Sequence, residues 1–331
     1  MKIGIIGTGA WGSALANVLT DNGNEVILYG IVAEEINDIN TNHKNSKYLK
    51  STCLNVSIKA TDKLIEAVKD SEMIILAVPS QLIVEMANTV ISNLNTKPVL
   101  VNVSKGFEPK SHLTLLTAIR NSIDISKIKG LVSLIGPSFA NEVAVRDITT
   151  VCAVSRDIEI GQIVQKVFSN SYFRVYLNTD EIGCEIGAAI KNVIAIASGM
   201  CVGLGYGDNT KAAVITRGLA EIIRVGVALG ADKSTFTGLT GIGDLFLTCS
   251  SNNSRNFTAG YQIGKDNSSL NFWKDNKKTV EGVWACQYLI ELAHNKKVEV
   301  PITRSVHNVL FNNAKPSEEL FLLVSRALKE E

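Results

Sequence analysis

Three glycines close to the N-terminus constrain the fold of this chain more than any other feature. They lie in the hexapeptide GTGAWG (Gly7–Gly12), which directly follows the apolar run Lys2–Ile6 and opens an apolar helical pattern. A second strand pattern, Glu25–Tyr29, comes after that helix. A G-x-G-x-x-G motif alone is a weak signal, but between a strand and a helix it predicts a dinucleotide-binding turn.

Each glycine has its own physical role in such a turn. Gly7 permits the tight turn after the strand, Gly9 lets a pyrophosphate approach the backbone, and Gly12 lets the helix pack closely on the strand. The helix N-terminus offers free N–H groups and a partial positive charge to the phosphates. We therefore predict that Gly7, Gly9, Ala10 and Gly12 contact a dinucleotide. A glycine turn without a ligand and the glycine loop of a methyltransferase are the alternatives.

The periodicity of apolar residues changes near residue 180 and divides the chain of 331 residues into two domains. Before that point, short β-branched runs alternate with helical patterns, which is typical of a parallel α/β sheet. After it, apolar residues recur at helical spacing, as between Ala212 and Leu229. We predict an α/β protein with a Rossmann domain and its doubly wound sheet over residues 1–180, and an all-α domain over residues 181–331.

The same patterns predict where individual elements lie. The expected strands are Lys2–Ile6, Glu25–Tyr29, Met73–Val78, Val99–Val103, Leu131–Ile135, Thr150–Val154 and Phe173–Leu177. The helices expected between them are Trp11–Asp21, Asp62–Lys69, Gln81–Leu94, Ser111–Asn121 and Ile158–Phe168. In the second domain, Asp266–Asn276 is predicted to be a loop. Ser317 is predicted to cap a final helix with an apolar face of Leu320, Leu323, Val324 and Ala327.

Composition and charge exclude several classes of protein. Apolar residues make up 46% of the chain, too many for a disordered protein, and a formal net charge of +1 argues against nucleic-acid binding. The N-terminus resembles a signal peptide only superficially, because its glycines would weaken a signal helix. No stretch of about 18 residues lacks charges and turn-forming residues, so we expect no membrane span.

The six cysteines and four histidines show no pattern of a metal site. None of the cysteines forms a C-x-x-C pair, and the histidines lack the spacing of metal ligands. We expect free thiols, a reducing compartment and therefore a cytoplasmic protein without a metal. Whether the protein forms a homodimer is left open by the sequence.

The end of the second strand carries neither of the residues that usually distinguish NAD from NADP. An acid at this place binds the ribose hydroxyls of NAD, and an arginine nearby binds the extra phosphate of NADP. Here Gly30 and Ile31 occupy the place, and Glu34 and Glu35 are expected to start the next helix. NAD and NADP both stay open. Because the usual cation is missing, we expect NADH to be used at least as well as NADPH. A clear preference for NADPH would point to a cation in the following segment, Lys44 or Lys47.

Two polar segments follow predicted strands of the sheet and are candidates for chemistry. Ser104-Lys105-Gly106 ends one strand and Gly136-Pro137-Ser138 ends another. Ligands of such sheets bind beyond the carboxyl ends of the strands, so Lys105 is placed to meet a bound dinucleotide. The alternative for Lys105 is a solvated surface charge.

Two further polar segments belong to the helical domain. Lys191-Asn192 interrupts an apolar helix, and a desolvated lysine loses its proton readily enough to act as a base near neutral pH. Gly241–Asp244 is followed by Ser254-Arg255-Asn256, in which the arginine offers a fork suited to phosphate. The alternatives are a lysine that extends its charge to water and an arginine that is an ordinary surface charge.

Together these segments resemble bacterial NAD(P)-dependent glycerol-3-phosphate dehydrogenase. The matching segments are collinear from residue 1 to about 305: GTGAWG from Gly7, SKG from Ser104, GPSFANE from Gly136, KNVIAI from Lys191, GDNTKAAVITRGLAE from Gly207, GIGDLFLTC from Gly241, SRN from Ser254 and VEG from Val280. Such a set is far more specific than the glycine motif alone.

The resemblance implies a Rossmann domain followed by a helical domain like the C-terminal domain of 6-phosphogluconate dehydrogenase. It implies an oxidoreductase that interconverts glycerone phosphate and sn-glycerol 3-phosphate with NAD or NADP, for phospholipid synthesis, with Lys191 as proton donor or acceptor. The residues implied to line the substrate site are Lys105, Gly136, Ser138, Lys191, Asp244, Ser254, Arg255 and Asn256. Those implied to contact the coenzyme, besides the glycine turn, are Trp11, Lys105, Ala140, Arg255 and Glu281.

Two positions depart from the family pattern. Ile31 stands where many relatives carry a basic residue for the adenosine 2′-phosphate, and Lys50 stands where proline often follows Tyr48-Leu49. Two rival interpretations are another dehydrogenase of this superfamily, such as a 3-hydroxyacid dehydrogenase or a ketopantoate reductase, and a dinucleotide-binding regulatory protein without turnover. The paired lysines and the SRN segment favour a phosphorylated substrate.

Overall fold

A computed structural model of the chain describes residues 1–50, 52–276 and 279–328. Two compact units make up the chain: Met1–Glu181, called unit 1, and Ile182–Glu331, called unit 2. Unit 1 is built of strands and helices and unit 2 of helices. The predicted fold class, an N-terminal Rossmann sheet with a helical C-terminal domain, is confirmed.

The sheet of unit 1 has eight strands: β1 (Lys2–Ile6), β2 (Glu25–Tyr29), β3 (Lys59–Thr61), β4 (Met73–Leu76), β5 (Val99–Asn102), β6 (Gly130–Ile135), β7 (Thr149–Val154) and β8 (Phe173–Asn178). Their order across the sheet is β3-β2-β1-β4-β5-β6-β7-β8. All neighbours pair in parallel except β6 and β7, which run antiparallel. The chain reverses its direction of growth between β1 and β4, where ligands of such sheets bind.

Eight α-helices of the described residues accompany the strands: α1 (Ala10–Asp21), α2 (Ala33–Asn37), α3 (Ser46–Leu49), α4 (Leu64–Val68), α5 (Ile83–Ser92), α6 (Leu115–Ser122), α7 (Ala140–Ala144) and α8 (Ile158–Phe168). Alternate residues of β4 point to opposite faces of the sheet. Met73 and Ile75 join one apolar cluster, whereas Ile74 and Leu76 join the other. Both faces are therefore covered, and the predicted doubly wound arrangement is confirmed.

Two features of the sheet differ from the prediction. β3 is missing from the predicted strands because its residues, Lys-Ala-Thr, carry almost no apolar pattern; it forms by pairing with the end of β2. The expectation of a wholly parallel sheet is wrong for β6 and β7. Their connection holds only the five-residue helix α7, which is too short to carry the chain back for a parallel return.

Unit 2 contains the helices α9 (Glu181–Gly203, which starts at the last residue of unit 1), α10 (Asp208–Ala228), α11 (Asp244–Ser250), α12 (Arg255–Asp266), α13 (Leu270–Asp275), α14 (Glu281–Lys296), α15 (Pro301–Phe311) and α16 (Pro316–Val324). A short π-helical turn, Leu239–Gly243, leads into α11. The longest helix, α9, is also the most completely buried and forms the centre of this unit.

The close packing of α9 on α12 depends on four glycines, which we call the glycine seam: Gly199, Gly203, Gly260 and Gly264. A Cβ added at Gly199 would lie 2.1 Å from the carbonyl oxygen of Phe257, and the other three positions are equally tight against backbone. The glycines are spaced four residues apart on each helix, so they lie on one face of each. No larger residue fits at this contact without moving the helices apart.

One described helix, α9, is long and apolar enough to cross a membrane by length and composition. In its most apolar window, 89% of the residues are buried within the protein. The apolar composition of α9 is therefore accounted for by its position in the core of unit 2.

The predictions for two segments of unit 2 are wrong in whole or in part. The segment predicted as the loop Asp266–Asn276 contains α13, which is anchored from outside its own sequence because Trp273 Nε1 donates to the carbonyl oxygen of Leu310 at 2.8 Å. Ser317 does not cap α16, because the helix already starts at Pro316. The expected apolar face of this helix is also wrong in part, since Val324 is 78% exposed.

Candidate functional site

In the glycine turn after β1, the fold requires glycine at two positions, Gly7 and Gly12, but not at Gly9. Gly7 has φ of +124°, and a Cβ there would lie 2.4 Å from the carbonyl oxygen of Ala77. A Cβ at Gly12 would lie 2.2 Å from the carbonyl oxygen of Gly7. At Gly9, by contrast, no atom of the described chain lies within 4 Å of an added Cβ. The open space beside Gly9 is therefore a cradle that a side chain would fill, which fits a dinucleotide pyrophosphate.

Asn45 supports this turn from a distant part of the chain. Its Nδ2 donates to the carbonyl oxygen of Thr8 at 2.6 Å and to Ser13 Oγ at 2.9 Å. Asn45 is buried, and its Oδ1 has no hydrogen-bond partner among the described residues. Sequence reasoning missed Asn45, because a single asparagine in a polar stretch carries no motif.

A second unexpected arrangement lies at the end of β2. A Cβ at Gly30 would lie 2.5 Å from Thr8 Cγ2, so the end of β2 touches the glycine turn directly. Thr8 Oγ1 donates to Glu35 Oε2 at 2.6 Å, and Lys47 Nζ donates to Glu35 Oε1 at 2.7 Å. Glu35 lies in α2, as expected, but its carboxylate turns inward and is only 5% exposed, whereas Ile31 is 83% exposed.

The charge state of Glu35 follows from two opposing effects. Burial raises the pKa of its carboxyl, but the hydrogen bonds from Lys47 and Thr8 lower it by more, so the net shift is downward from 4.5. The hydrogen bond to Glu35 raises the pKa of Lys47 in turn. Both groups are therefore ionised at neutral pH.

The two polar segments after β5 and β6 come together in unit 1. Lys105 Nζ donates to the carbonyl oxygen of Gly136 at 2.9 Å, and Ser138 Oγ donates to the same oxygen at 3.1 Å. Ser104 Oγ donates to the carbonyl oxygen of Val78 at 2.5 Å and fixes the loop that carries Lys105. Because β5 and β6 are neighbours, Lys105, Gly136 and Ser138 lie at one carboxyl edge of the sheet.

Three other residues named for coenzyme binding lie at helix starts. Ala10 and Trp11 open α1 directly after Gly9, and Ala140 is the first residue of α7. All three pack, partly buried, against the apolar cluster on one face of the sheet. Their remaining exposed surface is available to a ligand.

In unit 2, Lys191 of α9 forms a buried ion pair with Asp244, the first residue of α11. Lys191 Nζ lies 2.5 Å from Asp244 Oδ1 and 2.9 Å from Thr248 Oγ1, and the Thr248 hydroxyl donates to the carbonyl oxygen of Asp244 at 2.6 Å. The side chains of Lys191 and Asp244 are only 6% and 1% exposed. Lys191 therefore does not extend its charge to water.

This buried cluster lies beside Cys249, which is itself fully buried. Burial raises the pKa of the neighbouring Cys249 thiol strongly, while the Lys191 charge lowers it and the Asp244 charge raises it by smaller amounts. A charged lysine in such surroundings needs its carboxylate partner, because an unpaired buried charge is costly.

A chain of hydrogen bonds connects three more segments of unit 2. Asn256 Nδ2 donates to Asn192 Oδ1 at 2.9 Å, and the backbone N–H of Gly282 donates to Asn256 Oδ1 at 2.9 Å. Asn192 follows Lys191, and Gly282 follows Glu281 at the start of α14. The structure thus brings the starts of α12 and α14 to the part of α9 that carries Lys191.

The three residues of the SRN segment have different environments at the start of α12. Ser254 is buried and caps the helix, since its Oγ accepts from the N–H of Phe257 at 3.2 Å. Arg255 is exposed, whereas Asn256 points inward into the chain of hydrogen bonds. Among the described residues, no group of three or more His, Cys, Asp and Glu side chains comes together as it would around a metal ion.

The doubly wound sheet and the open glycine turn define the class of this protein: a two-domain protein with a dinucleotide-binding Rossmann domain and a helical domain that carries a buried lysine.

Comparisons with known proteins agree with this class. The model of the NAD-dependent glycerol-3-phosphate dehydrogenase N-terminus matches residues 2–160, and that of the C-terminus matches residues 180–320. Glycerol-3-phosphate dehydrogenase [NAD(P)+] of Enterococcus faecalis is 46% identical over 94% of this chain and 92% of its own. The Streptococcus agalactiae protein of the same name is 44% identical over 100% of this chain and 98% of its own.

A solved structure shows the same relationship. The crystal structure of glycerol-3-phosphate dehydrogenase from Coxiella burnetii has a TM-score of 0.91 and 30% identity, and the match covers 98% of each chain. The chain belongs to the NAD-dependent glycerol-3-phosphate dehydrogenase family.

Proposed function

We propose that the protein interconverts glycerone phosphate and sn-glycerol 3-phosphate with NAD(H) or NADP(H) as the coenzyme. The observation that carries the proposal is the buried Lys191–Asp244 pair, in a chain that belongs to this family. A buried lysine with a carboxylate partner is suited to proton transfer, and the exposed Arg255 at the start of α12 is suited to a phosphate.

Lys191 is the proton donor and acceptor in this reaction. When bound, the nicotinamide supplies or accepts a hydride at the carbon that changes its oxidation state. As the ketone carbon is reduced, Lys191 Nζ donates a proton to the oxygen that becomes an alkoxide; in the reverse direction the neutral amine accepts the hydroxyl proton. Asp244 and Thr248 hold Nζ in position, at 2.5 Å and 2.9 Å.

The substrate is held by its phosphate. Arg255 provides a charged, forked donor, and the N–H groups at the start of α12 add a partial positive charge. Asn256 is kept in place by Asn192 and by the backbone of Gly282. We assign to Lys105 the stabilisation of negative charge on the substrate, supported by its hydrogen bond to Gly136.

The coenzyme is held at the glycine turn. Gly9 provides the space for the pyrophosphate, and the start of α1 provides N–H groups and a partial charge. Trp11 and Ala140 supply partly buried contact surface, and Glu281 at the start of α14 is a further proposed contact. The product is a precursor for phospholipid synthesis, and the six free cysteines support a cytoplasmic location.

A direct assay tests the proposal. The absorbance of NADH, and separately of NADPH, is followed after glycerone phosphate is added to the purified protein. We expect oxidation of at least one coenzyme with glycerone phosphate and far slower oxidation with unphosphorylated dihydroxyacetone. The assignment would be contradicted if the coenzyme were oxidised with ketopantoate or a 3-oxoacid but not with glycerone phosphate. It would also be contradicted if none of these ketones led to oxidation of the coenzyme.

A further inference from the structure

Four residues meet at the carboxyl end of β2, and we call them the β2-end cluster: Thr8, Gly30, Glu35 and Lys47. In a Rossmann domain the adenosine ribose lies at this place, against the end of the second strand and the glycine turn. Gly30 touches Thr8, whose hydroxyl donates to Glu35, and Glu35 in turn accepts from Lys47. One carboxylate therefore connects the glycine turn to Lys47.

Lys47 and Glu35 differ sharply in their access to water. The Glu35 side chain is 5% exposed and is held by hydrogen bonds with Lys47, Thr8 and Tyr48, whereas the Lys47 side chain is 58% exposed. A lysine is flexible and its charge is compact, so Nζ can turn towards a ligand while Glu35 keeps its bond to Thr8. Glu35 itself is too buried and too fully engaged to replace the missing ribose-binding acid.

The charges of the cluster cancel in the absence of ligand. Glu35 is ionised because its hydrogen bonds outweigh the effect of burial, and Lys47 balances it. Ile31, which stands in the family's usual basic position, is 83% exposed and offers only an apolar surface. Lys47 is therefore the residue of the β2-end cluster that carries a positive charge.

We propose that Lys47 contacts the 2′-phosphate on the adenosine ribose of NADPH, and that Glu35, by balancing Lys47, allows NADH to be bound as well. The proposal rests on the coenzyme site assigned above to the glycine turn. An unbalanced cation would favour the dianionic phosphate strongly, and an unbalanced carboxylate would repel it. The pair accepts the phosphate without requiring it, so wild-type affinities for NADH and NADPH differ by less than about tenfold.

Two substitutions move the preference in opposite directions. Lys47→Ala weakens NADPH binding by about tenfold, the loss of one partly exposed charged hydrogen bond, and leaves NADH binding within about twofold. Glu35→Gln still accepts from Thr8 but removes a negative charge, so NADPH binding tightens by about threefold. The NADPH effect of Lys47→Ala diminishes at high salt because the contact is exposed and electrostatic.

Two controls separate the phosphate contact from structural damage. Lys47→Ala leaves Glu35 buried without its cation, so the double variant Glu35→Gln/Lys47→Ala is included; it should retain the wild-type melting temperature and still bind NADPH weakly. Lys50→Ala removes an exposed lysine from the same segment and should change neither affinity. Titration calorimetry with NADH and NADPH gives the affinities independently of turnover.

The outcomes are distinguishable. A Lys47→Ala variant that binds both coenzymes as wild type does, or loses both equally, overturns the role of Lys47 and leaves the coenzyme site intact. A double variant that recovers NADPH affinity also overturns it, because the loss would then come from the unpaired Glu35. If wild type binds neither NADH nor NADPH, the coenzyme site and the role of Lys47 are both wrong.

Discussion

The glycine turn of unit 1 and the lysine cluster of unit 2, which we propose for coenzyme binding and for proton transfer, are built in opposite ways. At the turn, the described chain leaves an open space beside Gly9. At Gly7 and Gly12, backbone atoms lie too close for a Cβ to fit. At the cluster, Lys191 and Asp244 place two opposite charges where almost no water reaches them. The turn thus depends on positions without a side chain, whereas the lysine cluster depends on two buried charged side chains.

The difference teaches which changes each site tolerates. The turn has no side chain to lose, but an added methyl group either collides with the backbone or occupies the ligand space. The cluster is sensitive to the loss of one charge, because removing either Lys191 or Asp244 takes the opposite charge away from a buried group. Added volume should therefore be most harmful at the turn and altered charge most harmful at the cluster.

The largest effect is expected from Lys191→Ala. Turnover should fall by roughly 10²- to 10⁴-fold, the usual contribution of a positioned proton donor, while coenzyme affinity is unchanged. Because Asp244 would stay buried without its lysine partner, Lys191→Ala/Asp244→Asn serves as the charge-neutral control, with melting temperature as a second readout. Near-normal turnover at neutral pH in a folded variant would mean that Lys191 does not transfer the proton.

The next largest effect comes from adding one methyl group at either of two glycines. Gly12→Ala should lower the stability by about 1–3 kcal/mol, because its Cβ would lie 2.2 Å from a carbonyl oxygen. Gly9→Ala should keep the wild-type melting temperature but weaken coenzyme binding by about tenfold or more. Thermal unfolding and coenzyme titration of both variants check this; a Gly9→Ala variant that binds coenzyme normally would refute the cradle.

A smaller and more selective effect is expected from Arg255→Ala. The KM for glycerone phosphate should rise by about tenfold, since a charged hydrogen bond to an exposed arginine is lost. The KM for unphosphorylated dihydroxyacetone should stay unchanged. Steady-state kinetics with both ketones make the comparison, and coenzyme affinity is measured separately. Equal losses for both ketones would show that Arg255 does not hold the phosphate.

The smallest effect concerns thiol reactivity. Burial raises the pKa of Cys152 and of Cys201 to about 11, so at mildly alkaline pH these thiols are almost wholly protonated and unreactive. Cys53 is exposed and should be the one thiol that an aromatic disulfide reagent labels in the native protein. Fast labelling of Cys249 in the native protein would show that water enters the interior beside Lys191.

The sequence predicts the central strands and the glycine turn well because their signals are local. Five residues of β1 carry a buried apolar run, and the glycine spacing lies within six residues. β3 and α13 carry no such signal and form only through partners elsewhere, β2 for one and the carbonyl of Leu310 for the other.

The sites show the same division. The motifs identify Lys191 and Asp244 as candidates, but these residues are 53 positions apart, and no local pattern reveals that Nζ and Oδ1 are in contact. Asn45 and the contact between Glu35 and Lys47 cannot be predicted from the sequence, which offers Lys47 only as an alternative to Lys44. A polar residue in a polar stretch is indistinguishable from ordinary surface until the chain folds back on the turn.

The glycine seam between α9 and α12 has a consequence for substrate selection. Because backbone rests on backbone at four positions, α12 cannot slide along α9 without driving a side chain into the contact. The axial offset between Lys191 on one helix and Arg255 at the start of the other is thereby set by the main chain alone. If Lys191 exchanges the proton and Arg255 holds the phosphate, as proposed above, this offset sets the distance between the carbonyl and the phosphate of the substrate. We then expect phosphorylated ketones with a longer or shorter chain to be poorer substrates.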